Sequence, residues 1–363
     1  MKTWPLESMT LAEAKEAQFG MTDAICRAFQ GHESLTRGDL GVVPGLNKPV
    51  TTVKAEQAIA DFFGTEAAIL VRGSGTGAIR YALFSALKPG DTLLVHKAPV
   101  YSTTDTSIRM LGLKTVEADF NDLADICRVM EAHPEIRGAL VQYTRQVPAD
   151  RYDMEEVIRT IKDCRDIPVI TDDNYAVMKV RKNGTQCGAD LACFSTFKLQ
   201  GPEGIGCIVG KKDFIDKLVA EHYSGGCQTQ GWEALEVLRG LVNAPVALAV
   251  QAEVNEQLVR DVRQLAGVKD AFLANAQSKV LIVELEEPRA QTVVREAEKL
   301  GALPNPVGAE SKYELAPMFY RVSGTFRQED PTRLDRMIRI NPNRSGPKTI
   351  LRILESALQA DRD

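Results

Sequence analysis

Short apolar runs alternate with helical patterns over about the first 266 residues of the chain. Continuous apolar runs predict buried strands, whereas apolar residues at three- and four-residue spacing predict helices that pack one face. The predicted strands are 67–71, 91–95, 113–117, 138–141, 168–171, 191–197 and 206–209. The predicted helices between them are 53–63, 78–87, 103–111, 121–132 and 154–164. Because alternating strands and helices build βαβ units, we expect an α/β fold with a doubly wound, mostly parallel sheet.

Local signals predict where some of these helices begin, end or bend. Thr52 is the expected N-cap of the helix 53–63, and Gly64 is the expected left-handed residue that ends it. Residues 232–265 have the pattern of one long helix, and Pro245 inside it predicts a break or a kink.

The pattern changes after this long helix. Two strand-like runs (279–284 and 336–340) and two helical segments (289–300 and 348–359) predict a smaller α+β C-terminal domain. We therefore expect an N-terminal helix and arm (1–51), a large α/β domain (52–245) and a small C-terminal domain (246–363), with the helix near 232–265 linking the last two.

Composition and charge narrow the classes of partner. The 363 residues contain 44 Lys plus Arg and 49 Asp plus Glu, a net charge of −5, so neither nucleic acid nor an anionic membrane is an expected partner. The seven cysteines lack Cys-x-x-Cys spacing and the four histidines are dispersed, which predicts no disulfide framework and no metal site. With no leader-like start and no apparent membrane span, we expect a cytoplasmic protein.

A glycine loop, Gly73-Ser74-Gly75-Thr76-Gly77, lies where a predicted strand meets a helix. Backbone N–H groups and the positive end of the helix dipole converge at such a junction, which suits a phosphate. The loop matches neither the dinucleotide fingerprint nor the Walker pattern. By itself, a tight strand-to-helix turn explains it equally well.

An amine and an acid follow two other predicted strands. Lys198 stands between an apolar strand and a glycine-rich turn, where loss of solvent makes a lysine a usable nucleophile. Asp172 follows the apolar run 168–170, at the edge where ligands of parallel sheets bind. Taken singly, a surface lysine and an aspartate in a turn are the simpler interpretations.

Together, a phosphate loop, an isolated amine and an anionic strand end are what pyridoxal 5'-phosphate requires. The chain resembles the fold-type I pyridoxal-phosphate enzymes of the cystathionine lyase and synthase branch, and a small bacterial group labelled YhfS. The resemblance rests on motifs that occur in the same order as in the branch. These are 73–78 (the phosphate loop), 98–104 (with the stacking tyrosine), 172–175 (Asp-x-x-aromatic), 195–198 (Ser-x-x-Lys), 235–241, 308–311 (Gly-x-Glu-Ser) and 338–340 (with the substrate arginine).

The resemblance implies a role for each matching residue. Lys198 would carry the cofactor and act as the base, and Asp172, rather than Asp173, would hold the pyridine nitrogen. Tyr101 would stack on the ring and shuttle a proton, and Arg339 would grip the substrate carboxylate. The remaining cofactor-binding residues would be Ser74, Gly75, Thr76, Tyr175 and Ser195.

Two segments depart from the pattern of the branch. The arm at 46–51 lacks the Tyr-x-Arg element that reaches a neighbouring subunit's phosphate, and the usual Asn-Pro is replaced within 141–148. Gln146 or Tyr175 are the candidates to replace its contact with the cofactor's phenolic oxygen. Arg145 either meets an acidic substrate group or is a solvated or salt-bridged surface residue.

The resemblance implies β- or γ-elimination or replacement on a small amino acid. Transamination is the alternative, and a cofactor-binding protein without turnover is a third hypothesis. It also implies a homodimer or a larger homo-oligomer. The sequence leaves open which amino acid is used.

Overall fold

A computed structural model of the chain describes residues 1–275, 280–306, 310–322, 326–327 and 330–360. The chain divides into two compact units, which are described separately below. The larger comprises Ala12–Tyr143 and Arg151–Pro245, and the smaller comprises Met1–Leu11, Thr144–Asp150 and Val246–Asp363.

The larger unit is built on a seven-stranded sheet. Its strands are β1 (Ala67–Arg72), β2 (Thr92–His96), β3 (Lys114–Ala118), β4 (Ile136–Gln142), β5 (Val169–Asp172), β6 (Leu191–Ser195) and β7 (Ile205–Gly210). The order is β1-β7-β6-β5-β4-β2-β3, and β7 runs in the direction opposite to the other six strands of this sheet. The predicted mostly parallel sheet is therefore confirmed. Because β1, β5 and β6 run in one direction, their carboxyl ends share one edge.

Helices connect these strands, as the alternating pattern predicts. They are α1 (Leu11–Ala28), α2 (Val50–Phe63), α3 (Ser74–Ala86), α4 (Ser102–Met110), α5 (Leu123–Ala132), α6 (Met154–Cys164), α7 (Lys212–Glu221) and α8 (Gly231–Val262). The buried face of α3 packs with residues such as Ile69, Ile170 and Ile208 of the strands. This packing holds the first turn of α3 at the edge where β1 ends.

The smaller unit is an antiparallel α+β domain. Its strands are β8 (Val268–Leu273), β9 (Leu281–Leu285), β10 (Met318–Arg321) and β11 (Met337–Asn341), in the order β10-β11-β9-β8. Its helices are α9 (Ala290–Lys299), α10 (Arg333–Arg336) and α11 (Pro347–Gln359). Apolar residues of α9 and α11 form one core with β9 and β11, so the predicted α+β character of this part is confirmed.

Some local predictions are wrong. Helix α2 begins at Val50, and Thr52 lies inside it, where its hydroxyl donates to the carbonyl of Thr229 at 2.8 Å instead of capping. The carboxylate of Asp39 accepts from the amides of Val50 (2.6 Å) and Thr51 (3.0 Å) in its place. Gly64 ends the helix with φ 66°, as predicted.

Pro245 does not break the long helix, because α8 continues through it. The glycine loop is the first turn of α3, which the sequence places from 78 onward. Helix α7 and strands β8 and β10 were not predicted. Lys279, at the start of one predicted strand, lies outside the described residues.

One segment corrects the expectation that no stretch could span a membrane. Gly225–Val262 is long and apolar enough by composition, but 56% of its most apolar window is buried within the protein. Burial of this kind is typical of a core helix in a soluble fold.

Candidate active site

The residues predicted to bind the cofactor, all of them in the larger unit, come from strand ends at one edge of its sheet. Asp172 is the last residue of β5, Ser195 is the last residue of β6, and Lys198 lies in the short 3₁₀ turn Phe197–Leu199 that follows. The glycine loop follows β1 at the same edge. Parallel strands deliver their carboxyl ends to one place, so segments distant in sequence meet there.

The side-chain amide of Asn174 lies between the acid and the amine. Its Nδ2 donates to Oδ1 of Asp172 at 2.7 Å, and its backbone N–H donates to the same oxygen at 3.1 Å. Its Oδ1 accepts from the amide of Ser195 at 3.0 Å and from Nζ of Lys198 at 3.4 Å. Asn174 therefore joins two segments of the predicted site, 172–175 and 195–198, by hydrogen bonds.

Asp172 is a buried acid whose side chain is 5% exposed. Burial raises the pKa of this carboxyl above its ordinary value, while the hydrogen bonds from Asn174 and the positive charge of Lys198 act in the opposite direction. Asp173 serves a different purpose, because its Oδ2 accepts from the amide of Gly184 at 2.7 Å. Burial raises the pKa of Asp173 to about 7.

Lys198 is half-buried, and its amine faces an aromatic ring. Its Nζ lies 3.8 Å from the ring centroid of Tyr175, a cation–π distance. Tyr175 adopts a left-handed backbone conformation with φ 65°. Tyr175, a predicted cofactor residue, thus contacts the amine directly.

The glycine loop presents a defined set of anion donors. The amides of Gly73 and Ser74 donate to the carbonyl of Gly204 at 2.8 and 3.0 Å. The next amides, those of Gly75 and Thr76, lie in the first turn of α3, where a helix provides no internal acceptor. The hydroxyl of Thr76 is 2.9 Å from that of Thr103 in the first turn of α4, so two helix N-termini meet here.

Two glycines are required by close approach. A Cβ on Gly75 would lie 2.4 Å from Oδ1 of Asn174, so that amide fills the space against the loop. A Cβ on Gly240 would lie 2.5 Å from the carbonyl of Leu199, where α8 packs against the turn that carries Lys198. The motif at 235–241 therefore supports the position of the lysine.

This set of residues fits pyridoxal 5'-phosphate. The amides of Gly75 and Thr76 with the nearby hydroxyls suit the phosphate, Lys198 suits the aldehyde, and buried Asp172 suits a cationic ring nitrogen. Tyr101 caps α4 and is 54% exposed, so its ring has an open face. Among the described residues, no group of His, Cys, Asp and Glu side chains could hold a metal ion.

The predicted substrate residue belongs to the smaller unit. Arg339 on β11 is 5% exposed and pairs across the sheet with Tyr320 on β10. Burial raises the pKa of Tyr320 to about 12, with Arg339 opposing the shift. The guanidinium carbon of Arg339 lies 6.0 Å from the ring centroid of Phe326. Of the motif at 308–311, residues 308 and 309 lie outside the described residues.

Arg145 and Gln146 also belong to the smaller unit. Nη1 of Arg145 donates to the carbonyls of Trp4 (2.8 Å) and Asp150 (3.3 Å), so it holds the backbone at both positions. Nε2 of Gln146 donates to the carbonyl of Thr144 at 3.3 Å. Of the two candidates to replace the missing asparagine, Tyr175 is the one that touches Lys198.

Sequence reasoning missed Asn174 and Thr103. Asn174 stood in the motif 172–175 as an unspecified position, and Thr103 stood two residues after the predicted stacking tyrosine. The sequence did contain one local signal. The side chain of an aspartate commonly accepts a hydrogen bond from the backbone N–H two residues later. The contacts with Ser195 and Lys198, 21 and 24 residues away, give no local signal.

Comparison with known proteins relates the whole chain to one group. Residues 49–234 match the family profile of class-V aminotransferases, and residues 253–354 match that of the YhfS-like C-terminal domain. The chain is 55% identical to the uncharacterized protein YhfS of Escherichia coli strain K12 over 361 residues, 99% of each chain. The crystal structure of E. coli YhfS, described as pyridoxal-5'-phosphate dependent, has a TM-score of 0.97 at 54% identity, covering 99% of this chain and 100% of that one.

More distant structures share the fold. A methionine gamma lyase of Micromonospora echinospora has a TM-score of 0.74 at 16% identity, covering 94% of this chain and 98% of that one. The chain therefore belongs to the YhfS-like family and has the architecture of the fold-type I pyridoxal-phosphate-dependent proteins.

Proposed function

We propose that this chain is a pyridoxal-phosphate-dependent enzyme that acts at Cα of a small amino acid, by β- or γ-elimination or replacement of a side-chain group. The observation that carries the proposal is the joining of buried Asp172 and half-buried Lys198 through one amide, beside the glycine loop. Membership of the YhfS-like family, with its pyridoxal-phosphate-dependent E. coli relative, supports the cofactor.

When bound, the cofactor supplies a sink for the electron pair that is left when a proton leaves Cα. Lys198 would have two tasks: its amine would hold the cofactor's aldehyde, and as a free amine it would take the proton from Cα of the substrate. The Tyr175 ring at 3.8 Å limits where that amine can move. Because Lys198 is half-buried, a small substrate can reach its amine.

Asp172 holds a proton on the ring nitrogen by remaining an anion beside it. A carboxylate buried without a cation prefers to be protonated, so a cationic ring nitrogen satisfies a group whose pKa burial has raised. Tyr101 would stack on the ring of the cofactor and would supply or accept a proton at the departing side-chain group. The exposure of its phenol in the structure is consistent with that access.

The amides of Gly75 and Thr76 hold the phosphate, with the hydroxyls of Ser74, Thr76 and Ser195. The positive ends of α3 and α4 add to the attraction for a dianion. In the smaller unit, Arg339 binds the substrate carboxylate through its two-pronged guanidinium, which fixes the bond that is broken at Cα.

Transamination is the second candidate function, favoured by the match of residues 49–234 to class-V aminotransferases. In that reaction Lys198 would again move the proton, and no side-chain group would leave the substrate. Both reactions use the same residues up to the loss of the Cα proton.

An amino-acid panel distinguishes these functions. The wild-type enzyme is offered amino acids with sulfur or oxygen leaving groups at Cβ or Cγ, with Lys198→Ala as the control. We expect a visible absorbance band that borohydride removes, together with release of a 2-oxo acid and ammonia. A requirement for a 2-oxo acid acceptor, without ammonia, would indicate transamination, and a band without product would indicate a binding protein.

We also propose that the protein is a cytoplasmic homodimer. All seven cysteines are free thiols, which is usual in a reducing compartment. On the larger unit, Leu40 (73%) and Tyr223 (70%) are exposed. Their segments are adjacent, because the Gly41 amide donates to Oε1 of Gln230 at 2.7 Å. Large apolar side chains exposed on adjacent segments suit a subunit interface. Sedimentation is expected to give twice the monomer mass.

A further inference from the structure

We propose that Asn174 is a positioning residue, whose amide holds the carboxylate of Asp172 at one end and the amine of Lys198 at the other. The inference rests on the proposed function, since it assigns a role within the same site.

The side-chain amide of Asn174 has a donor and an acceptor, and each faces a partner of matching chemistry. Asn174 donates through Nδ2 to Asp172 at 2.7 Å and accepts through Oδ1 from Lys198 at 3.4 Å and from the Ser195 amide at 3.0 Å. A carboxylate in this position would repel Asp172, and an aliphatic side chain would leave the buried Ser195 amide without this acceptor. An amide matches both the acidic and the basic neighbour.

Asn174 also packs against the glycine loop. It is buried, and its Oδ1, Nδ2 and Cγ atoms all lie within 2.8 Å of where a Cβ on Gly75 would stand. The amide therefore occupies the space that a side chain at Gly75 would need. The phosphate loop, the acid and the amine are held in one spatial arrangement by this contact.

The expected consequence concerns Asp172. The hydrogen bonds from Asn174 favour its ionised form against the effect of burial. The other titratable groups that face this carboxyl are Asp173 on its own segment, Cys193 on β6 and Lys198. Loss of the Asn174 amide therefore makes the ionised form of Asp172, which the ring nitrogen requires, less favourable.

The test compares Asn174→Ala and Asn174→Asp with Asn121→Ala. Asn121 is a matched control, because its N and Nδ2 also donate to the aspartate two residues earlier, at 3.0 and 2.9 Å. In the loaded enzyme, we expect both Asn174 variants to shift the pH midpoint of the visible band by about 0.5–1 unit. We also expect them to weaken cofactor binding about tenfold. Wild-type titration and affinity in Asn174→Ala would overturn the inference.

The apoprotein gives a readout that needs no cofactor. Asn174→Ala is expected to lower the thermal midpoint more at pH 8 than at pH 5.5, because the lost donors stabilise the ionised acid. A packing defect lowers both equally, and the pH-dependent part should vanish in an Asp172→Asn background. Equal losses at both pH values would overturn the inference. A wild-type protein without a borohydride-sensitive band would instead refute the proposed function, while the apoprotein comparison would still test Asn174.

A different observation, independent of this site, concerns two thiols on α5 and α6. The Sγ atoms of Cys127 and Cys164 lie 2.7 Å apart, and both residues are exposed. We propose that they form an oxidisable pair, which a low-molecular-weight disulfide converts into an intrachain disulfide.

Thiol–disulfide exchange with one small disulfide is sufficient to join the two cysteines, and no other oxidant is required. One thiolate attacks the small disulfide, forms a mixed disulfide and releases one small thiol, and the second cysteine then displaces the other. Two protein thiols are oxidised and one small disulfide is reduced to two thiols. Burial, with the adjacent Cys127 thiol, raises the pKa of Cys164 to about 11.

Incubation with oxidised glutathione and peptide mapping tests the pair. We expect a linked peptide joining Cys127 and Cys164, and only mixed disulfides at the exposed cysteines Cys26 and Cys227. In the Cys127→Ser variant, Cys164 should form at most a mixed disulfide with glutathione. Mixed disulfides at Cys127 and Cys164 without a linked peptide would overturn the proposal.

Discussion

The larger unit contains the same three residue types, aspartate, asparagine and lysine, close together at two strand ends. After β3, Asn121 donates twice to Asp119, and Lys97 lies 2.5 Å from that carboxylate. After β5, Asn174 donates twice to Asp172, and Lys198 lies 3.4 Å from the asparagine oxygen. The hydrogen-bond pattern from asparagine to aspartate is the same in both places.

The two sites differ in burial, and burial decides the chemistry. The side chains of Lys97 and Asp119 are 56% and 25% exposed, and hydrogen bonds from Lys97 and Asn121 outweigh burial to lower the pKa of Asp119. At Asp172, which is 5% exposed, burial prevails and the pKa is raised. Lys97 and Asp119 form a surface ion pair. At Asp172, burial makes the ionised carboxylate unfavourable, and a cationic ligand would relieve that cost.

Replacing each lysine should give the largest contrast. Lys198→Ala is expected to lower turnover by about 10³-fold or more, because both the covalent link and the base are lost. Lys97→Ala should leave turnover within about twofold, since it removes only a surface ion pair. Steady-state kinetics with the best substrate of the panel measure both, and equal effects would end the comparison.

Replacing each aspartate should give the next largest contrast. Asp172→Asn is expected to reduce turnover about 100-fold, because the ring nitrogen loses its anionic partner. Asp119→Asn should leave turnover unchanged and reduce the free energy of unfolding by up to about 1 kcal/mol. The account would be contradicted if Asp172→Asn kept the wild-type rate.

The contributions of Asp173 and Asp119 to the stability of the apoprotein should change with pH in opposite directions. Burial raises the pKa of Asp173 to about 7, so the folded state binds a proton more tightly than the unfolded chain. Stability from this group is therefore full below about pH 4 and is lost as the pH rises towards 7. Asp119, whose pKa is lowered, contributes stability above its unfolded pKa and loses it in acid.

Thermal midpoints from pH 4.5 to 8 test this difference. Asp173→Asn should stabilise the apoprotein at pH 8, by at most about 4 kcal/mol, and hardly at pH 4.5. Parallel curves for wild type and variant would show that burial does not shift this carboxyl.

A smaller effect is expected from the glycine against which Asn174 packs. Gly75→Ala puts a methyl group 2.4 Å from Oδ1 of Asn174, so we expect a loss of about 1–3 kcal/mol in the free energy of unfolding. Gly346→Ala, where a Cβ meets open space, should change it by less than about 0.5 kcal/mol. Denaturant titration that gives the two variants equal stability would show that the amide is free to move.

The sequence predicted what local pattern and chain order determine. Apolar runs identified the strands of the large sheet, and the strand-end rule brought Asp172 and Lys198 to one edge. Local pattern does not predict contacts between residues far apart in the chain. The cap on α2 comes from Asp39, 11 residues before Val50, so Thr52 was wrongly predicted as the N-cap. Asn174 was missed for the same reason, since its sequence pattern matches that of Asn121 and only burial separates them.

The central claim is that Lys198 carries the cofactor, and mapping the reduced adduct tests it most directly. Protein loaded with pyridoxal 5'-phosphate is treated with borohydride, digested and analysed by mass spectrometry. The account predicts that the pyridoxyl group is recovered on the peptide containing Lys198. Recovery on another lysine such as Lys97, or on none, would contradict it.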